Sequence, residues 1–324
     1  MIYPLGRVYI PLIVILFSIL SFADMERIDI RPSGYDGYRI GDMEILSQFR
    51  LDYDDIDGVP FREISDIAYD DGNHTLYMVG DEGELYLFDA IFSKSGIERF
   101  EPVAGYRLQD RSGVVLRGKM ADAEGMDIDS SGVLGISFER VPRVELFDRK
   151  GVEKRSIALP EPLSKKGSYR GKNSQLEALL HHSALGWLTS PERPLFGNGR
   201  RIHAIYSLEN GRVWRFVGEK SKRDSITSLE EISPDSILVL ERIYEPWDSS
   251  LTIVLRRVFL NDCDIKRICR SEIVARLGTS EGWRPDNFEA LTRVGRGRYL
   301  MISDDNDSPL QSTIMVLFRL RNEM

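Results

Sequence analysis

Carboxylates recur in this chain at a fixed interval. Asp66 and Asp81, Glu124 and Glu139, Glu177 and Glu192, and Glu289 and Asp304 are each 15 residues apart. A fourth unit breaks the pattern: Ser228 stands where the first acid is expected, and Glu241 follows 13 residues later. Acids repeated on equivalent strands of a radial fold lie on equivalent radii, because side chains two apart on a strand face the same way. The spacing therefore predicts two rings. Asp66, Glu124, Glu177 and Glu289 form the first, and Asp81, Glu139, Glu192, Glu241 and Asp304 the second. Two unit charges ~6 Å apart repel by roughly 3 kcal/mol at an effective dielectric of ~20. Several such pairs either raise the carboxyl pKa values or recruit a cation. Calcium suits an all-oxygen donor set of flexible geometry. A bound Ca²⁺ would polarise a phosphate or another anionic ester.

The competing expectation is structural. The same acids can pair with Arg140, Arg193 and Arg242, or accept backbone N–H bonds that lock neighbouring strands. Both readings stay open. Arginines that face the channel would hold a substrate oxyanion bidentately. Neighbours on a strand point to opposite faces, so one member of each Glu-Arg pair reaches the axis. Asn173 and Asn287 complete the candidate substrate-binding set with Arg140, Arg193 and Arg242. No nucleophile or acid–base pair stands apart from the repeat, and no catalytic residue is assigned.

Several motifs fail on context. Gly278-Thr-Ser280-Glu-Gly282 matches a nucleophile elbow, but Trp283-Arg-Pro285 follows where a helix is required. Asp127-Ile-Asp129-Ser-Ser-Gly132 starts like a calcium loop, yet its acid comes late and helices are missing, so a hairpin turn is expected. His74, His181, His182 and His203 lack zinc-ligand spacing. Cys263 and Cys269 are the two cysteines, and spacing leaves open whether they form a disulfide or two thiols. There is no Walker loop and no dinucleotide fingerprint.

The elements that must position the acids are strands. Apolar runs are short, β-branched and aromatic, as in Thr75-Leu-Tyr-Met-Val79, Ser236-Ile-Leu-Val-Leu240 and Arg298-Tyr-Leu-Met-Ile302, with Gly, Asp, Asn and Pro between them. Units begin at about 65, 124, 177, 228 and 289. A period of that size in an all-β chain indicates a β-propeller. Five blades are visible, and a diverged sixth has room in residues 24–62 or in the spacers. The segment Met43-Glu-Ile-Leu-Ser-Gln-Phe-Arg50 is expected to close the ring beside Thr313–Leu320. No linker divides the chain. Residues 63–322 form one propeller domain, and residues 24–62 close it.

Residues 1–23 are expected to be a signal peptide. Arg7 precedes the uncharged run Val8 to Phe22, and Ser21-Phe22-Ala23 is a cleavage pattern. A retained anchor is the alternative, although the run is short for a span of ~20 residues. Loss of Arg7 takes Lys+Arg from 43 to 42 against 51 acids, a net charge of −9. Such a chain is no partner for nucleic acid, whose binding rests on cationic side chains. No later stretch spans a bilayer, so the expected location is periplasmic or secreted.

The motifs as a set resemble the phytase-like (esterase-like activity of phytase) family. They are Asp122-Ala-Glu124-Gly-Met126, Arg170-Gly-Lys-Asn173-Ser-Gln-Leu-Glu177-Ala-Leu179, Leu240-Glu241-Arg242, and Asn287-Phe-Glu289-Ala-Leu291 with Ser303-Asp304-Asp305-Asn306 and Gln311. The match runs from about Ser65 to Leu320. Ala178 and Ala290 stand where the family commonly has Gly, and His181-His182 follow the third signature without a family role. The resemblance implies an exported propeller hydrolase, a phosphoesterase or esterase acting on an anionic small molecule. A non-catalytic binding module of the cell envelope is a second reading, and a lactonase-type propeller enzyme a third. A fold and family name do not fix the substrate.

Overall fold

The computed structural model describes residues 24–171 and 173–321. The leader expected over residues 1–23 lies outside them. Among the described residues, alternating and fully apolar runs form antiparallel strands in five blade sheets and one two-stranded ribbon, with only short 3₁₀ turns as helix. Blade one is Ile64–Asp70, Thr75–Gly80, Glu84–Phe92 and Ile97–Arg107. Blade two is Ala123–Ile128, Leu134–Phe138, Arg143–Phe147 and Glu153–Ile157. Blade three is Leu176–His182, Gly186–Pro191, Ile202–Ser207 and Val213–Val217. Blade four is Asp224–Ser233, Ser236–Glu245, Ser250–Cys263 and Cys269–Gly278. In each, strands pair in chain order from the inner strand outward.

Blade five is assembled from both ends of the chain. Asn287–Arg293, Arg298–Asp304 and Ile314–Leu320 are joined by Met43–Leu51, which pairs antiparallel to Ile314–Leu320 with Ile45 opposite Phe318. Arg319 holds Glu44 through Nε and Nη2 at 3.0–3.1 Å across that seam. Met25–Arg27 and Arg39–Ile40 add to the same sheet. Residues 24–62 therefore hold no sixth blade: their remaining strands are the ribbon Asp55–Ile56 and Val59–Pro60.

The ring is closed by packing. Inner strands touch in the order one–two–three–four–five–one. Five apolar clusters fill the five interfaces between blades. Tyr77 and Val79 meet Leu134 and Ile136 between blades one and two. Leu300 and Leu317 meet Ile67 and Phe88 between blades five and one. Each large side chain so buried contributes roughly 1.5–3 kcal/mol relative to exposure. This leaves the inner strands buried on both faces, with their free edges turned to the axis, and that edge is what carries the acids.

Cys263 and Cys269, at the outer hairpin of blade four, are disulfide-bonded. Among the described residues no helix is long and apolar enough to cross a membrane.

Candidate metal centre at the channel mouth

Every inner strand enters the channel with a β-bulge, and the bulge decides which residues meet. Pairing skips one residue between Ile64 and Asp66, Ala123 and Gly125, Leu176 and Ala178, Ile226 and Ser228, and Phe288 and Ala290. The equivalent bulged residues are Ser65, Glu124, Glu177, Thr227 and Glu289. The residues before the bulge pair with Gly80, Phe138, Pro191, Glu241 and Ser303. One step further on stand Asp81, Glu139, Glu192, Arg242 and Asp304.

The two rings expected from the sequence are corrected by one residue at three places. Ser65, not Asp66, is the counterpart of Glu124. Thr227, not Ser228, fills that position in blade four, and Arg242, not Glu241, continues the second ring. In this frame blade four is regular, since 242 − 227 = 15, and blade one is the longer, since 81 − 65 = 16. A bulge adds one residue without a sequence signature, and the acids at 66 and 241 drew the frame to themselves.

The mouth holds a pocket of about 240 Å³ lined by nine carboxyl groups and two arginines, Arg140 and Arg242. The acids are Glu63, Asp81, Asp122, Glu124, Glu139, Glu177, Glu192, Glu289 and Asp304. Arginine divides it into unequal halves. On the side of blades four and five, Arg242 donates to Glu289 and, at 2.6 Å, to Asn287 Oδ1, and lies 3.6 Å from Glu192. Asn287 Nδ2 donates to Glu289 at 3.0 Å and Asp304 at 3.2 Å. Burial opposes the Arg242 charge, but Glu289, Glu192 and Glu177 outweigh it and raise its pKa.

On the side of blades one and two, Asp81, Asp122 and Glu124 each offer an oxygen within 4.8 Å of the others. Arg140 reaches only Asp122 there, with Nε 3.1 Å from Oδ1 and its backbone N–H 2.8 Å from Oδ2. Burial and the neighbouring Asp122 push Asp81 up to about 7. Burial, then Glu177, Asp81 and Glu139, raises Glu124 well above the usual carboxylate range. Burial pushes Glu139 up to about 8 against the Gln175 N–H it accepts, and Asp122 and Glu192 add to the rise. Burial and Glu289 push Asp304 up to about 8. Burial, then Glu192 and Glu289, raises Glu177 well above its ordinary value.

Two expected ligands point elsewhere. Asp66 sits inside the channel with no exposed surface, accepting from Ile67 N, Leu291 N and Ser228 Oγ on one oxygen and from Met126 N on the other. It ties blades one, two, four and five together. Glu241 is buried on the far face of its strand and is paired with Arg256. Of the substrate-binding candidates, Arg140, Asn173 and Arg242 line the acid pocket, while Arg193 and Asn287 line the cleft beside it. Asp122, Glu63 and Asn306 also line the pocket, outside both expected rings. The Asp122-Ala-Glu124 spacing of two was the available signal, since it puts both acids on one side of a strand.

Gly125, next to Glu124, is required by close approach. A Cβ there would lie 2.2 Å from the Glu177 carbonyl oxygen. Ser137 Oγ bridges the same place, accepting from Gly125 N and donating to Glu177 O at 2.8 Å. The remaining motifs are structural. Asp129 Oδ1 accepts from Ser131 N and Val133 N in a hairpin turn. Thr279–Glu281 is a single 3₁₀ turn with no helix after it. His203 bonds Asp224 at 3.0 Å in the blade interior, and His181 packs edge-on against Trp187.

A model of the phytase-like family, described as "Esterase-like activity of phytase", matches residues 59–307. No curated protein matches the chain. Among solved structures, the Neurospora crassa Pan2 WD40 domain is similar at 12% identity, over 89% of this chain and 98% of that chain, with a TM-score of 0.37. So distant a likeness supports nothing beyond itself; the propeller is established by the sheets and their closed order.

Proposed function

The chain belongs to the phytase-like family, and from that premise we propose that it is an exported, metal-dependent phosphoesterase or esterase acting on an anionic small molecule at the acidic channel mouth. The observation that carries this reading is the convergence of Asp81, Asp122 and Glu124. They lie in the half of the pocket that Arg242 does not neutralise. Carboxylates so crowded are destabilised by their own charge, and a hard cation relieves that cost. The donors are all oxygen, which fits Ca²⁺ better than a metal that prefers nitrogen or sulfur. Asp81, Asp122 and Glu124 would hold the ion, with Glu139 and Glu177 beside it. When bound, the ion supplies positive charge against a phosphoryl or acyl oxygen.

The chain's own groups do the rest. Arg140 fixes the orientation of Asp122. Asn287 and Arg242 fix Glu289 and Asp304. Glu139, which lines the pocket beside these acids, would take a proton from water and return it to the leaving group. The substrate is a small molecule, not a nucleic acid, in keeping with the acidic charge of the chain. Export rests on the leader expected over residues 1–23.

Hydrolysis of a generic phosphomonoester and a carboxyl ester, with calcium and then with chelator, tests the reading. Turnover that chelator abolishes is expected. No turnover and no calcium-dependent rise in melting temperature would remove it. In that event the non-catalytic envelope module is favoured by a specific observation: Arg242 and Asn287 already satisfy Glu289 and Asp304 without an ion.

A further inference from the structure

A second and larger cleft opens beside the acid pocket and shares Arg242 and Asn306 with it. Its volume is about 740 Å³. Blade four builds one wall. The second strands of blades two and three stop at Phe138 and Pro191, the residues equivalent to Glu241. In blade four the strand runs on to Glu245, still paired, with Tyr244 opposite Leu251 and Glu245 opposite Ser250. The hairpin thus stands above the mouth. Its tip is braced by Glu245, which accepts from Ser221 Oγ at 2.6 Å and Trp247 Nε1 at 3.1 Å.

The lining combines apolar and cationic side chains. Tyr244, Leu251 and Leu310 face the cleft, with Tyr244 47% and Leu310 93% exposed. Arg193, Arg223 and Arg242 line it against one acid, Asp286. That acid is occupied: it accepts from Asn287 N, Gln311 Nε2 and Ser312 N at 2.8–3.2 Å. Arg223 is exposed and has no ion pair among the described residues. Arg193 touches Glu192 through Nε at 3.4 Å, and its two terminal nitrogens make no hydrogen bond among the described residues. Negative and positive charge are therefore sorted into adjoining chambers. An acidic chamber holding a cation suits the reacting ester. An arginine chamber suits a planar or tetrahedral oxyanion taken bidentately. A guanidinium and an aromatic side chain in one cleft also suit a ring, which can stack on either.

We infer that this cleft binds a second anionic group of the substrate, a phosphate or carboxylate carried on a ring or short apolar frame, while the ester bond lies at the acid pocket. The inference deepens the proposed function and rests on it for the position of the ester. Binding can be separated from that reading by working in chelator, where the arginine cleft still acts. Phenyl phosphate, inorganic phosphate and phenol are titrated calorimetrically into the full chain and into Arg193→Ala, Arg223→Ala and Tyr244→Ala. Phenyl phosphate is expected to bind more tightly than either fragment. Each arginine variant is expected to weaken it about ten-fold, and Tyr244→Ala to weaken phenyl phosphate but not inorganic phosphate. Calcium binding, measured separately, stays unchanged in all three. Arg223 is exposed, so its variant keeps the fold, which the melting temperature verifies. Phenyl phosphate binding that is equal in wild type and both arginine variants overturns the inference, even where calcium-dependent hydrolysis is intact. Arginine-dependent binding in a protein that ignores calcium upholds the cleft and sinks the metal reading instead.

Discussion

Replacing Glu139 by Gln isolates the charge crowding at the mouth. Glu139 is buried, with 6% of its surface exposed, and burial pushes its pKa up to about 8. Its unfolded value is the ordinary one, about 4.3. A carboxyl raised on folding gives stability that is whole below the unfolded pKa and is lost as pH rises through the folded one. Between pH 6 and pH 8 the unfolded chain is ionised while the folded carboxyl still holds its proton. At 1.36 kcal/mol per pH unit, metal-free wild type loses roughly 3 kcal/mol through this group between pH 6 and pH 9. Gln keeps an acceptor for the Gln175 N–H and has no proton to lose. The variant should therefore gain about 3 kcal/mol on wild type over that interval, whatever its offset at pH 6. For a domain of this size that is about 5 °C in melting temperature. Urea denaturation in chelator at pH 6 and pH 9 measures it. Saturating calcium at pH 9 should remove most of the difference, since the ion neutralises the neighbours. Parallel pH profiles for the two proteins would refute the reasoning, because Glu139 would then ionise as it does in water.

Other perturbations test other parts of the geometry. Glu241→Gln should lower the melting temperature, since Arg256 loses a buried partner worth about 1.5–3 kcal/mol, and should leave calcium affinity within about two-fold by calorimetry. Arg242→Met leaves Glu289 and Glu192 uncompensated, and by denaturant unfolding it should cost about 3 kcal/mol. Gly125→Ala must part the inner strands of blades two and three, with an expected loss of about 3 kcal/mol by unfolding and weaker calcium binding because Glu124 moves with the strand.

The blades were legible because apolar β-branched runs and Gly/Asp turns recur at blade length, and the Met43–Leu51 strand because its alternation needs a covered face. What the sequence hides is the bulge. A single extra residue shifts every side chain after it to the other face, so Asp66 and Glu241 looked like ring members while Ser65, Thr227 and Arg242 did not. The acid pattern itself misled, since Asp66 is an acid used to bind backbone N–H groups of other blades, and Arg242 is a base at an acidic position. Asp122 was visible in the Asp-x-Glu spacing but belongs to neither ring. The pairing of Cys263 with Cys269 needed the hairpin register, which places them opposite each other.

The central claim is that Asp81, Asp122 and Glu124 form a cation site on which hydrolysis depends. Calcium titrated calorimetrically into chelator-stripped protein at pH 8, for wild type and for Asp81→Asn/Glu124→Gln, tests it most directly, with ester turnover followed in the same samples. Binding of calcium by wild type, its loss in the double variant, and turnover that follows the bound fraction are the predicted results. Equal calcium binding by the two proteins, or none by wild type, would contradict it.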